Sequence, residues 1–226
     1  MPRALVAALA LGLSALLVWT IAELPAPSGE VPALVAAHLG ATGVAHPVTA
    51  VLLNFRGYDT LLEIGVLLLA VLGVLAVRLT AADTGGPQPA PANPVLRALA
   101  NLLVPLMVLV AGYLLWAGAH RPGGAFQAGA VLAAAGVLLR LSGRLPALLP
   151  PRLWLRAGLL VGFAVFLAVT LGVTVAGFAL LQYPAGLAGA LILLIEAALT
   201  VSIGLILLSL FVGAPTPPAE LGERAQ

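Results

Sequence analysis

The sequence predicts an all-α integral membrane protein of about six transmembrane helices. The first observation behind this is composition: 62% of the 226 residues are hydrophobic and 8% are charged, too little polar surface for a domain bathed in water. The second is a series of uninterrupted apolar runs near the length of roughly 20 residues that a bilayer core demands. The third is a one-sided distribution of Arg between those runs. Several spans leave no room for a sizeable soluble enzyme domain, so any chemistry belongs at membrane depth or to partners. Ten Arg, no Lys and eight acids give a net charge of +2, too weak a bias for nucleic acid. The absence of Cys excludes disulfides, Cys-type zinc sites and thiolate cofactors.

Six spans are expected at residues 4–22, 58–79, 96–118, 124–141, 155–181 and 186–212. The first follows Arg3 and ends at Ala22. Its apolar core exceeds the usual signal-peptide length and no clean A-x-A site follows, so it reads as a retained anchor. Residues 23–47 hold Pro25, Pro27, Pro32 and Pro47 with Gly29, Gly40 and Gly43, a composition for an external loop. The fourth span is full length only if the preceding Gly-Gly turn is partly immersed. Residues 80–95, containing TAADTGGPQPAPANP, read as an extended linker. It separates a two-span front unit, 1–79, from a four-span rear unit, 96–213, and residues 214–226 form a polar tail. No internal repeat is evident. On this reading Arg3, Arg78, Arg97, Arg140, Arg144, Arg152, Arg156 and Arg224 lie on one side, with only Arg56 and Arg121 on the other. The positive-inside rule then puts both termini in the cytoplasm of a cell that holds the chain in its inner membrane.

Acids inside such runs are costly and usually have a purpose. Arg56, Asp59 and Glu63 stand at i, i+3 and i+7 and share one face if the stretch is helical. Asp59 and Thr60 suit a helix start, and Arg56 can neutralise Asp59, so these three admit an architectural reading. Glu63 sits inside the apolar run, where a carboxylate must be protonated, paired or wetted. Glu196 is the second such acid, with no other charge from Pro184 to Gly213. Thr200 lies at i+4 from it, and Thr170 and Thr174 make a polar patch on the preceding span. One reading makes Glu196 a protonated interhelical hydrogen-bonding group. The other makes it a proton or cation relay, and this is favoured because Gln or Ser would supply the bonding without an ionisable group. Counted from the external ends, Glu63 lies about 8 Å deep and Glu196 about 15 Å deep at 1.5 Å per residue. If the two units pack together, both acids belong to one outward-opening polar path.

The loop GAHRPGGAFQAG joins the third and fourth spans. Pro122, Gly123 and Gly124 build a tight turn, with His120 and Arg121 at its lip as solvated residues or as a gate for ions. Ala125, Gly129 and Ala133 form a small-residue stripe, expected at a close helix crossing. His38 and His46 lack the spacing and acidic company of a zinc site, so no metal is expected. No cofactor-binding fingerprint, P-loop or nucleophile elbow is present, and no self-contained enzyme is expected.

The stretch HPVTAVLLNFRGYDTLLEIGVLLLAVLGV resembles the E-subunit-like segment of membrane-bound hydrogenases, which also occurs at the end of the large A subunit of Mrp-type cation/proton antiporters. From NLLVPLMVLVAGYLLWAGAHRPGGAFQAGAVLAAAGVLL onward the chain is similar to the B subunit of those antiporters, the MnhB-like domain. The resemblance implies an accessory subunit of a multisubunit, proton-coupled complex related to the membrane arm of respiratory complex I, exchanging Na+ for H+ together with its other subunits. It carries the front acidic motif onto Asp59 and Glu63, and the turn motif onto His120, Pro122, Gly123, Gly124 and Phe126. Asn54 stands where an Asp is common before the F-R pair, and Ala125 replaces a third Gly. A hydrogenase membrane arm and a purely structural scaffold are the alternatives.

Overall fold

The computed structural model describes residues 2–24, 29–80, 93–145 and 153–213. They fall into two compact units divided between Ala37 and His38. The first contains α1 (Pro2–Ala22) and most of α2 (Glu30–His38). The α1 run Ala4–Ala22 carries no charge and is long and apolar enough to cross a membrane. Near its end Thr20 returns its hydroxyl proton to the Leu16 carbonyl, which satisfies that polar group within the helix.

The second unit begins with a 3-10 turn, Leu39–Ala41, and a short helix, α3 (Pro47–Ala50), that runs into a π-helical turn, Val51–Phe55. Four long helices follow with a shorter one among them: α4 (Gly57–Thr80), α5 (Pro94–Ala117), α6 (Ala125–Leu141), α7 (Leu153–Val175) and α8 (Ala188–Gly213). Counting α1, five helices among the described residues are long and apolar enough to span. The 17 residues of α6 rise only about 25 Å, short of the roughly 30 Å of a bilayer's hydrocarbon core.

Two expected features differ. The fifth span was expected to reach residue 181, but α7 stops at Val175 although apolar sequence continues. Gly177 adopts φ +90°, and the Phe178 N–H turns back to the Val173 carbonyl, which closes the helix. Arg56 does not continue one helix into α4. It leaves the π turn at φ −128°, ψ 32°, its N–H bonding the Val51 carbonyl, and α4 starts afresh at Gly57. Residues 81–92 of the expected linker, the whole of the expected C-terminal tail, and Arg152 and Arg224 lie outside the described residues.

Helix α8 is the axis of this unit, with α4, α6 and α7 packed around it. Ile192, Ile195, Leu199, Ile203 and Ile206 are buried along it, against Phe166 of α7 and Ile64 and Val71 of α4. An α-helix apolar on every face belongs in such a position. The crossings are close because small residues allow it: a β-carbon on Gly129 would stand 2.8 Å from Ile203, and one on Gly162 would stand 2.7 Å from Ser202. The Ser202 hydroxyl donates to the Leu159 carbonyl across the α7–α8 crossing. By contrast α5 fully buries only Ala100, Ala111 and Ala117; Leu103, Met107 and Leu114 are half-buried, while Leu102, Leu106, Leu109 and Trp116 are exposed.

The chain before α4 is sewn onto the α5–α6 turn and the start of α8. Ala45 and His46 donate their N–H groups to the Ala119 carbonyl at 2.8 and 3.0 Å. The Thr49 hydroxyl donates to the Gly118 carbonyl. Gly43, at φ +78°, lies so close to α8 that a β-carbon there would stand 2.6 Å from that of Ala188. At the opposite ends of these helices, the Arg97 guanidinium on α5 donates to the Ser142 carbonyl beyond α6, and Arg140 to the Leu145 carbonyl.

Candidate functional site

Glu196 lies just over two turns into α8, is 4% exposed, and is the one buried carboxylate among the described residues. Its partner surface is the turn between α5 and α6. There the Gly118 and Gly124 N–H groups both bond the Leu114 carbonyl, at 3.1 and 2.8 Å, which folds the chain back on the end of α5. Gly124 then adopts φ +108°, a conformation that favours glycine, and serves as N-cap of α6. The absence of side chains at this fold makes the room that Glu196 uses. Its Oε1 stands 2.8 Å from the place of a β-carbon on Gly124 and 3.3 Å from that on Gly118. The backbone N–H of Ala125, the first residue of α6, faces the carboxyl group. A helix start carries unpaired N–H groups and partial positive charge, so it is a favourable resting place for a carboxylate.

Beside Glu196 is a cavity of about 40 Å³ whose wall joins α3, the π turn, α4, the α5–α6 turn and α8. That volume suffices for water. Its polar lining comprises Thr49, Thr60, Gln127 and Glu196, with backbone of Gly123 and Gly124, and the rest is apolar. Thr49 donates to the Gly118 carbonyl at 2.5 Å and Thr60 to the Leu52 carbonyl at 2.6 Å. With both hydroxyl protons committed, the lone pairs of the two oxygens remain as acceptors. A carboxylate and acceptor oxygens around a small wettable space suit a hydrated cation or a proton carried by water.

The other residues singled out from sequence are placed as follows. Arg56 and Asp59 form an ion pair with side chains 70% and 42% exposed, and neither lines the cavity. Glu63 is exposed on α4 and does not line the cavity with Glu196. Thr200 is buried, but its hydroxyl donates to the backbone carbonyl of Glu196 at 2.8 Å rather than to the carboxyl group. Thr170 and Thr174 likewise bond the carbonyls of Phe166 and Thr170 on their own helix, and only Thr170 is buried. His120, Arg121 and Pro122 are exposed, the His120 ring lying 6.0 Å from that of Trp116, while Phe126 is half-buried against the core. Thr49, Gly118 and Gln127 were not foreseen. Thr49 and Gly118 are brought together across 69 positions, a pairing that local spacing does not signal.

Outside the spans, Tyr183 is buried in the α7–α8 connection with a hydroxyl that has no partner among the described residues, and burial pushes its pKa up to about 12. No group of three or more His, Asp or Glu able to hold a metal occurs among the described residues.

Fold and site together define a multi-pass helical membrane protein in which the Glu196 carboxyl group is buried against the start of α6. Its family is shown by residues 95–214, which match the domain related to the MnhB subunit of Na+/H+ antiporter, and the chain belongs to that family. Two solved structures are similar in fold. One is a chain of the Mrp complex from Dietzia sp. DQ12-45-1b, with TM-score 0.67 and 24% identity over 94% of this chain and 26% of that one. This chain therefore spans about a quarter of the length of its Mrp counterpart. The other is a chain of the membrane-bound sulfane sulfur reductase, an archaeal respiratory membrane complex, with TM-score 0.70 and 24% identity over 94% of this chain and 98% of that one. No curated protein matches.

Proposed function

We propose that the chain is an accessory subunit of a multisubunit monovalent cation/proton antiporter in the cell membrane, exchanging Na+ for H+, with both termini in the cytoplasm. The observation that carries this reading is Glu196, buried beside a wettable cavity in a chain of the MnhB-related family. In this reading Glu196 accepts and releases the proton or cation, Thr49 and Thr60 offer acceptor oxygens, and Arg56 and Asp59 tune access from outside. Glu63, exposed on α4, would join the path through a neighbouring subunit rather than through this chain's interior. The stretch around Asp59 acts as the front, hydrogenase-E-like unit of the same subunit.

Replacing Glu196 by Gln keeps size and hydrogen bonding but deletes the ionisable proton. In vesicles holding the whole complex, Glu196→Gln is expected to leave the subunit inserted and assembled while abolishing most cation-driven proton flux. Normal flux across the working pH range would sink the ion-path role and leave a scaffold.

A second reading, membership of a respiratory membrane complex, is favoured by length, since this chain matches 98% of its counterpart in the sulfane sulfur reductase complex. The redox chemistry would then lie in other subunits. Purifying the native complex and measuring its iron separates the two: an iron-free complex supports the antiporter, and stoichiometric iron supports the respiratory assembly.

A further inference from the structure

The geometry points to Gly118 and Gly124 as positioning residues that hold the Glu196 carboxyl group at the start of α6, a role that rests on the ion-path reading of Glu196. Each glycine could serve the turn alone, but their two Cα faces converge on one oxygen. A β-carbon on Gly124 would stand 2.8 Å from Glu196 Oε1, closer than such contacts allow. One on Gly118 would stand 2.7 Å from the Gly124 Cα and 2.8 Å from its nitrogen, and 3.3 Å from the same Oε1. The two residues are therefore stacked, with Gly118 fixing where Gly124 lies and Gly124 fixing where the carboxyl group lies.

The requirement at Gly118 is not conformational. Its backbone is ordinary right-handed helix, φ −52° and ψ −30°, which any residue adopts. Only the closeness of Gly124 and Glu196 requires glycine there. The Gly118 carbonyl in turn accepts the Thr49 hydroxyl at 2.5 Å, so the segment before α4 pins the same residue from the other side. A shift of that segment would move Gly118, then Gly124 and the Ala125 N–H, and with them the group that faces Glu196. The cavity bordered by Thr49, Gly124 and Glu196 lies along this line of contact.

The test uses the whole complex in vesicles, with two readouts: cation-driven proton flux, and the rate at which a hydrophobic carbodiimide modifies Glu196, followed by mass spectrometry. Gly118→Ala, which strains no backbone angle, is the main variant, and Gly124→Ala is the second. Gly112→Ala on α5 is the control, because a β-carbon there meets nothing within 4 Å. Gly118→Ala and Gly124→Ala are expected to lower flux by about tenfold or more, since displacements on the order of 1 Å have such effects on positioned groups. They should also change the carbodiimide rate, while Gly112→Ala alters neither. Glu196→Asp withdraws the carboxyl group by one methylene, so it should restore flux in Gly118→Ala relative to that single variant, an interaction that independent defects do not show.

Unchanged flux and unchanged carbodiimide rate in an assembled Gly118→Ala complex would overturn the positioning role. So would strictly additive losses with Glu196→Asp. Neither result touches the ion-path reading, which fails separately if Glu196→Gln transports normally.

Discussion

Two carboxylates that look alike in sequence have opposite surroundings. Glu63 and Glu196 each interrupt an apolar run, and the cost of burying charge singles out both. Only Glu196 turns inward, since its position on α8 faces the α5–α6 turn, whereas Glu63 lies on the exposed face of α4. Tyr183 offers a second residue-level test because its hydroxyl is buried without a partner among the described residues. An unfolded Tyr ionises near pH 10, while burial holds this one protonated to about 12. Between those values the unfolded state has already released its proton, so the stability that Tyr183 contributes is intact below pH 10 and is lost as pH rises through 12. In detergent, the melting temperature of the wild-type chain is expected to fall more steeply over that window than that of Tyr183→Phe. Below it, Tyr183→Phe should be neutral or stabilising, by up to about 1 kcal/mol, because it removes an unsatisfied polar group. Equal alkaline slopes for the two chains would refute this.

At the scale of elements, the apolar runs marked every long helix, and the small residues Ala125, Gly129 and Ala133 marked the crossing of α6 with α8. Helix ends were less legible. The overshoot of α7 came from Gly177, whose left-handed conformation ends a helix within sequence that is still apolar. Likewise, the Pro-rich stretch after α4 separates spans along the chain, yet α4 packs against α7 and α8. The sidedness inferred from Arg can be tested across α7, with Arg144 exposed in the chain before it and Ala185 exposed after it. Because the chain has no Cys, single replacements Arg144→Cys and Ala185→Cys give clean sites. In oriented vesicles an impermeant thiol reagent is expected to label Arg144→Cys only from the cytoplasmic side and Ala185→Cys only from the outside. Labelling of both from one side would mean that α7 does not span.

For the whole molecule, dependence on partners is the expected behaviour. Helix α5 buries little beyond three alanines, and Glu63 lies on the exposed face of α4. The similar chains of known structure belong to an Mrp complex and a respiratory membrane complex. The purified chain in liposomes is therefore expected to show no Na+- or K+-dependent proton movement, and co-expression with its complex partners should restore it. Robust exchange by the isolated chain, abolished by Glu196→Gln, would make it a carrier in its own right.

The sequence by itself determined that this is a multi-pass helical membrane protein, because hydropathy and span length act locally and every backbone polar group in lipid must be satisfied within its own helix. It also singled out Glu196, since an isolated charge in an apolar run is visible without knowing its neighbours. Only the tertiary structure decided what Glu196 meets: the start of α6, the paired faces of Gly118 and Gly124, and a cavity edged by Thr49 and Thr60. Those contacts join positions far apart in the chain, and their register follows from how α4, α6 and α7 close around α8. A glycine that is needed for space rather than for its backbone angles, as Gly118 is, looks like any other glycine until the residue it must admit is seen beside it.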